Sequence, residues 1–77
     1  MKAIIWSKPD CPKCVTAQML LSTQGYEIEE RKLGFGWNRE QLFDVVPNAR
    51  SVPQIFIDDK HIGTLEDLQK YLDKETK

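Results

Sequence analysis

The strongest constraint on this chain is the break at Lys8-Pro9-Asp10, where a short apolar run passes directly into a helix start. Ala3-Ile4-Ile5-Trp6 is uninterruptedly apolar and rich in β-formers, the pattern of a buried strand. Pro12 stands at a first-turn position, where its missing N–H costs nothing because that group has no partner inside a helix. From Pro12 to about Gln24, helical spacing places Cys14, Ala17 and Leu21 on one face, with Leu20 widening the stripe. Gly25 ends the helix. A strand feeding a helix over so short a break is the opening of a β-α unit.

The rest of the chain completes that unit and adds a second. Tyr26 to Lys32 predicts a strand, with Tyr26 and Ile28 alternating against Glu27 and Glu29. Gly34-Phe35-Gly36-Trp37 is a loop. Asn38 then has the character of an N-cap with Gln41 as its capping-box partner, and Leu42, Val45 and Val46 supply the apolar face of the helix that Pro47 stops. Gln54 to Ile57 is a third strand, Asp58-Asp59 a turn, and Lys60 to Ile62 a short fourth strand. A last helix begins at Thr64, whose spacing to Asp67 predicts a capping box, and Leu65, Leu68 and Leu72 form its buried stripe. The order β-α-β-α-β-β-α fits an α/β fold with one four-stranded mixed sheet flanked by three helices, the first two strands parallel and the last two a hairpin.

Composition excludes several classes. Seventy-seven residues predict a single small domain spanning 1–77, and 40% hydrophobic residues suffice for a core. A net charge of −1 lacks the basic excess of nucleic-acid binders. No apolar run approaches the ~20 residues that span a bilayer, and Ala3 to Trp6 is too short for a signal-peptide core. The expectation is a cytoplasmic protein, monomeric, with neither nucleic acid nor membrane as a partner.

In that setting two cysteines change meaning with their spacing. Cys11 and Cys14 would close too small a loop to act as a structural staple, and in a β-α context C-x-x-C reads as a redox pair. A zinc site needs about four ligands, and His61 is the one further histidine or cysteine. His61 reads instead as a surface turn residue, so no metal is expected. The thiolate is the attacking species, and at an unperturbed pKa of ~8.5 it is only ~3% of the thiol at pH 7. At the cap of a helix, the free amides of the first turn can point at the Cys11 sulfur, and Lys13 adds a cation. Lowering the pKa to ~6 would raise the thiolate fraction about thirty-fold, while intrinsic nucleophilicity falls about thirteen-fold at a Brønsted slope of ~0.45. The net gain in attack is about two-fold, so the larger benefit is Cys11 as a leaving group when a mixed disulfide is resolved. Cys14, one helix turn inward, suits the resolving thiol, and Asp10 beside the pair turns the chain into the helix although its charge opposes a thiolate.

These residues resemble the glutaredoxin family. Ser7-Lys8-Pro9-Asp10-Cys11-Pro12-Lys13-Cys14 is similar to its strand end and C-P-x-C segment, Ser51-Val52-Pro53-Gln54-Ile55-Phe56-Ile57 to its T-V-P-Q-I-F stretch, and His61-Ile62-Gly63 with Glu66-Asp67-Leu68 to its H-I-G-G-x-D-D-L ending. The short length and the Gly34–Trp37 loop are most similar to glutaredoxins of bacterial viruses. The resemblance implies a thioredoxin-like fold and a thiol–disulfide oxidoreductase with Cys11 and Cys14 as catalytic residues. It implies reduction of protein disulfides and glutathione mixed disulfides, with glutathione as co-substrate, no bound cofactor, and ribonucleotide reductase among the target proteins. It also implies a cis Pro53, which would leave the N–H and C=O of Val52 free to pair with an extended substrate backbone. Lys8 would face the glycine carboxylate of glutathione, with Arg39 or Arg50 as a second cation. Leu65 through its backbone, with Glu66 and Asp67, would hold the γ-glutamyl end.

Three departures from the pattern bear on glutathione. Lys13 replaces the usual aromatic between the cysteines, Thr64 replaces the second glycine, and Glu66 is the first acid. A redoxin reduced by thioredoxin reductase is therefore an alternative, as is, in a different class, a protein sharing an iron–sulfur cluster between two chains. Pro12 and the second cysteine weigh against the cluster. Phe35 and Trp37 read equally as packing residues or as an exposed docking patch.

Overall fold

The structure is a computed structural model, and it describes residues 2–75. Its elements follow the order β1 (Lys2–Ser7), α1 (Pro12–Thr23), β2 (Glu27–Lys32), α2 (Arg39–Val45), β3 (Gln54–Ile57), β4 (Lys60–Gly63) and α3 (Leu65–Glu75). The four strands form one sheet in the order β2-β1-β3-β4. β1 runs parallel to β2 and antiparallel to β3, and β3 pairs antiparallel with β4, so the expected parallel first half and closing hairpin are both present. The hairpin turns on Asp58 and Asp59, both at positive φ (48° and 67°), a conformation that aspartate tolerates better than most residues and that matches the twist of the strands.

Sheet parity divides the core in two. Ala3 and Ile5 of β1 face one side, where they pack with Ile55 and Ile57 of β3, Ala17 and Leu21 of α1, and Leu65, Leu68 and Leu72 of α3. Ile4 and Trp6 point to the opposite side, where a second cluster gathers Trp6 with Leu42 and Val46, flanked by Leu33, Trp37, Val52 and Phe56. A continuous apolar run in β1 is thus required because both of its faces are covered.

Two expectations need correction. Val45 is 46% exposed and lies outside the apolar face of α2, which Leu42 and Val46 supply without it. Val46 is the C-cap of α2, and its non-helical backbone (φ −134°, ψ 79°) takes the side chain into the cluster beside Leu42 while Val45 stays outside. At α3, Asp67 accepts the Thr64 N–H at 3.0 Å, which is half of a capping box. The Thr64 hydroxyl, however, donates to the carboxylates of Glu66 and Asp67 instead of accepting from the helix. The acids placed in the first turn outcompete the backbone for that hydroxyl. At α2 the capping box is complete, with Asn38 Oδ1 accepting from Gln41 N at 2.9 Å and Gln41 Oε1 from Asn38 N at 2.8 Å.

The Gly34–Trp37 loop separates its two aromatics. Trp37 stacks edge-on against Trp6, centroids 5.3 Å apart, and the Arg31 guanidinium sits 4.4 Å from its ring centre. It is a packing residue of the second cluster. Phe35 is 66% exposed.

Candidate active site

Ser7 ends β1 and Cys11 begins α1, so the site is assembled where the strand is handed to the helix. Asp10 makes that handover at φ 56°, in the left-handed region, and so turns the chain as its position predicted. Cys11 is the N-cap residue: its backbone is extended, and its Sγ accepts from the Cys14 N–H at 3.2 Å. Pro12 occupies the first turn, which contains no acidic residue. One first-turn amide, together with the positive end of the helix, therefore points at this sulfur.

Cys11 and Cys14 are joined as a disulfide, Cα atoms 5.3 Å apart. Cys11 is 9% exposed and Cys14 2%, so the first retains an edge toward solvent and the second is interior. The Val52–Pro53 bond is cis, and the Val52 carbonyl oxygen lies 4.0 Å from Cys11 Sγ. Among the described residues, the Val52 N–H has no hydrogen-bond partner. Lys8, Arg39, Arg50 and Val52 line one open pocket of about 210 Å³ with an apolar floor that includes Leu33, Leu42 and Ala49. None of these three cations is ion-paired among the described residues. Both arginines thus stand with Lys8 on the Val52 side of Cys11.

The predicted γ-glutamyl residues sit at the start of α3. Leu65 is buried and Glu66 exposed. Glu66 is held below the usual carboxylate pKa by its own backbone N–H, then by the Thr64 hydroxyl and by Lys13. Asp67 is lowered chiefly by the Thr64 N–H, then by the Thr64 hydroxyl. Gly63, at φ 125°, leaves room for this arrangement, since a Cβ there would collide with the Asp67 carboxylate. Lys13 does not stand free beside the sulfur: its Nζ is 3.5 Å from Glu66 Oε1, both side chains well exposed. The expected cation of the motif is therefore partly neutralised. His61 lies on β4, its Nε2 2.9 Å from Gln54 Oε1.

Sequence reasoning missed a second polar cluster beside the cysteines. Ser7, fully buried, donates from Oγ to Glu30 Oε2 at 2.8 Å, and Gln18 Nε2 donates to the same oxygen at 2.7 Å. The signal was present in strand parity: Glu30 shares the face of Tyr26 and Ile28, the inward side of β2.

A buried cysteine paired with a helix-capping one, on a mixed sheet with three helices, is the arrangement of a thiol–disulfide oxidoreductase of the thioredoxin-like fold. Comparison with known proteins narrows the class. The family model described as Glutaredoxin matches residues 3–62, and the chain belongs to the glutaredoxin family. It is 40% identical over 65 residues to glutaredoxin 3 of Escherichia coli (strain K12), a match covering 83% of this chain and 77% of that protein. It is 42% identical over 67 residues to the hybrid peroxiredoxin hyPrx5 of Haemophilus influenzae, covering 87% of this chain but only 27% of that longer protein. The solved structure of reduced Escherichia coli glutaredoxin superposes with a TM-score of 0.82 at 28% identity, over 99% of this chain and 98% of that one.

Proposed function

We propose that the chain is a glutathione-coupled dithiol oxidoreductase, acting as a single monomeric domain in a reducing cytoplasm on protein disulfides and glutathione mixed disulfides. The observation that carries this reading is the position of Cys11 Sγ, capping α1 and 4.0 Å from the Val52 carbonyl, at the edge of the pocket that Lys8 lines. A substrate disulfide laid along the Val52 backbone brings one sulfur to Cys11. The Cys11 thiolate attacks it, an S–S bond forms to Cys11, and the other substrate sulfur leaves as a thiolate. The Cys14 thiolate then attacks Cys11 Sγ, expelling the remaining substrate thiol and leaving the Cys11–Cys14 disulfide for glutathione to reduce. Where the mixed disulfide is with glutathione, a second glutathione thiolate can instead attack the bound glutathione sulfur, giving oxidised glutathione and the Cys11 thiolate. Lys8, with Arg39 and Arg50, meets the glycine carboxylate of glutathione, while Leu65, Glu66 and Asp67 at the start of α3, beside Lys13, receive the γ-glutamyl end. Ribonucleotide reductase is a protein target of the kind such a dithiol serves. Among the described residues no helix is long and apolar enough to cross a membrane.

One observation favours electron supply by thioredoxin reductase instead. The Lys13–Glu66 ion pair and the Thr64 hydroxyl already engage the acids that would hold glutathione. A coupled assay with each donor in turn decides. Turnover with glutathione and glutathione reductase, and none with thioredoxin reductase, is the expected result; the reverse overturns glutathione coupling.

A further inference from the structure

The cleft on the α1 side of the cysteines, about 490 Å³, is lined by Cys11, Cys14, Gln18 and Glu30. Gln18 is one helical turn beyond Cys14 on the same side of α1, and its amide is 2.7 Å from Glu30. The Glu30 carboxylate is therefore held in the cleft that the pair lines. It is held by neutral donors: both the buried Ser7 hydroxyl and the Gln18 amide bind Oε2, which fixes the group without cancelling its charge. Glu29, its neighbour on β2, is by contrast ion-paired with Arg31 and Lys2, and Glu66 with Lys13. Among the described residues, Glu30 forms no ion pair. The other charged groups lining the cleft are Lys8, Asp10 and Lys32, two cations and one further acid.

We propose that Glu30 sets the redox poise of the cysteine pair. Its fixed negative charge opposes charge on the sulfurs and makes the dithiol a stronger reductant than the helix cap alone would allow. The cap stabilises the thiolate, hence the reduced protein; Glu30 works in the opposite direction, destabilising the thiolate and favouring release of the electron pair to a substrate disulfide. No proton transfer through Glu30 is needed, and the effect holds whichever donor reduces the enzyme.

The decisive variant is Glu30→Gln in the full chain, because the glutamine oxygen still accepts from Ser7 and Gln18, so the clamp survives while the charge goes. In a Cys14→Ser background, the Cys11 thiolate absorbance transition should fall by about half a pH unit, as expected for a partly screened charge at this range. In the intact pair, equilibrium against dithiothreitol at pH 8 should move about three-fold toward the dithiol, the same half unit expressed as a ratio. Ser7→Ala, which frees the carboxylate to swing into water, should give part of both shifts. Glu29→Gln, which removes an equal charge from the other face of β2, should move neither. Unchanged acidity and poise in Glu30→Gln, or equal shifts in Glu29→Gln, overturn the proposal. Because the readouts are thiol titration and a dithiothreitol equilibrium, they stand even where the assay with glutathione fails.

Discussion

The starts of α1 and α3 use the same device to opposite ends. Each presents unpaired backbone amides and the positive end of a helix. At α3 that potential is consumed internally: Glu66 and Asp67 occupy the first turn, and Asp67 and Thr64 bond to each other. At α1 the first turn has no acid, its first residue is a proline, and the cap is a sulfur, a poor acceptor while neutral. An amide that meets a weak acceptor gains far more when the acceptor becomes an anion. The difference locates reactivity without reference to any relative: the unspent helix start is the one built for a charge that appears only when the thiol ionises.

The most severe way to break the comparison is to remove the sulfurs. Cys11→Ser should abolish both glutathione mixed-disulfide reduction and protein-disulfide reduction. Cys14→Ser should keep much of the first, because glutathione can resolve the intermediate, and lose most of the second. Steady-state rates on a glutathionylated peptide and on a protein disulfide check this. If Cys14→Ser is the inactive variant in both assays, the nucleophile sits one turn inside the helix and the cap argument fails with it.

The next largest effect is on acidity. In Cys14→Ser, the Cys11 thiolate transition should lie well below the ordinary thiol value of about 8.5. Lys13→Glu makes the α1 start resemble that of α3, placing an acid in the first turn and opposing Glu66. It should raise the Cys11 transition by about 0.2–0.7 units, the equivalent of a helix-terminus charge effect of ~0.3–1 kcal/mol. No change would mean that the first turn is screened from the sulfur.

The sequence announces the α1 start and conceals its surroundings. Cys11, Pro12 and Cys14 have fixed spacing at one helix start, so their placement follows from local geometry. The element order and mixed sheet follow equally from periodicity, and Asn38 with Gln41 from a three-residue capping pattern. Residues distant in the chain are less legible. Lys13 and Glu66 each stand out in the sequence, yet their ion pair spans two helices that only the tertiary fold brings together. Glu30 lies 16 residues beyond Cys14, and its meaning requires the β1–β2 register, which opposes Ile5 to Glu30 and brings Ser7 within reach. Val45 is misplaced by the apolar pattern because the helix ends there: Val46 is the non-helical C-cap, and the turn of the chain carries its side chain into the core in place of Val45.

A smaller effect concerns α2, where the helix start is neither reactive nor acid-filled but closed by a reciprocal box. Asn38→Ala should cost about 1 kcal/mol, read as a lower denaturation midpoint with unchanged slope, and leave the Cys11 titration where it was. A loss of activity larger than the loss of folded protein would show that α2 positions the Lys8 pocket.

The smallest effect tests whether the α3 start is already occupied by its own acids. The Asp67 carboxyl lies below its ordinary pKa of 3.8 in the fold, chiefly because it accepts the Thr64 N–H and then the Thr64 hydroxyl. A carboxyl lowered by folding contributes stability that is present above its unfolded value. That contribution is lost as the pH falls through the folded value. Wild-type protein should therefore lose thermal stability as the pH falls below about 4, on the acid side of the ordinary aspartate value. Asp67→Asn, which cannot ionise, should begin less stable at pH 7 and show a shallower decline over that window. Because the group is exposed, water screens it and the difference should be well under ~1 kcal/mol, so paired melting curves at pH 7 and pH 3 are the measurement. Parallel curves would mean that Asp67 contributes nothing to its own helix start.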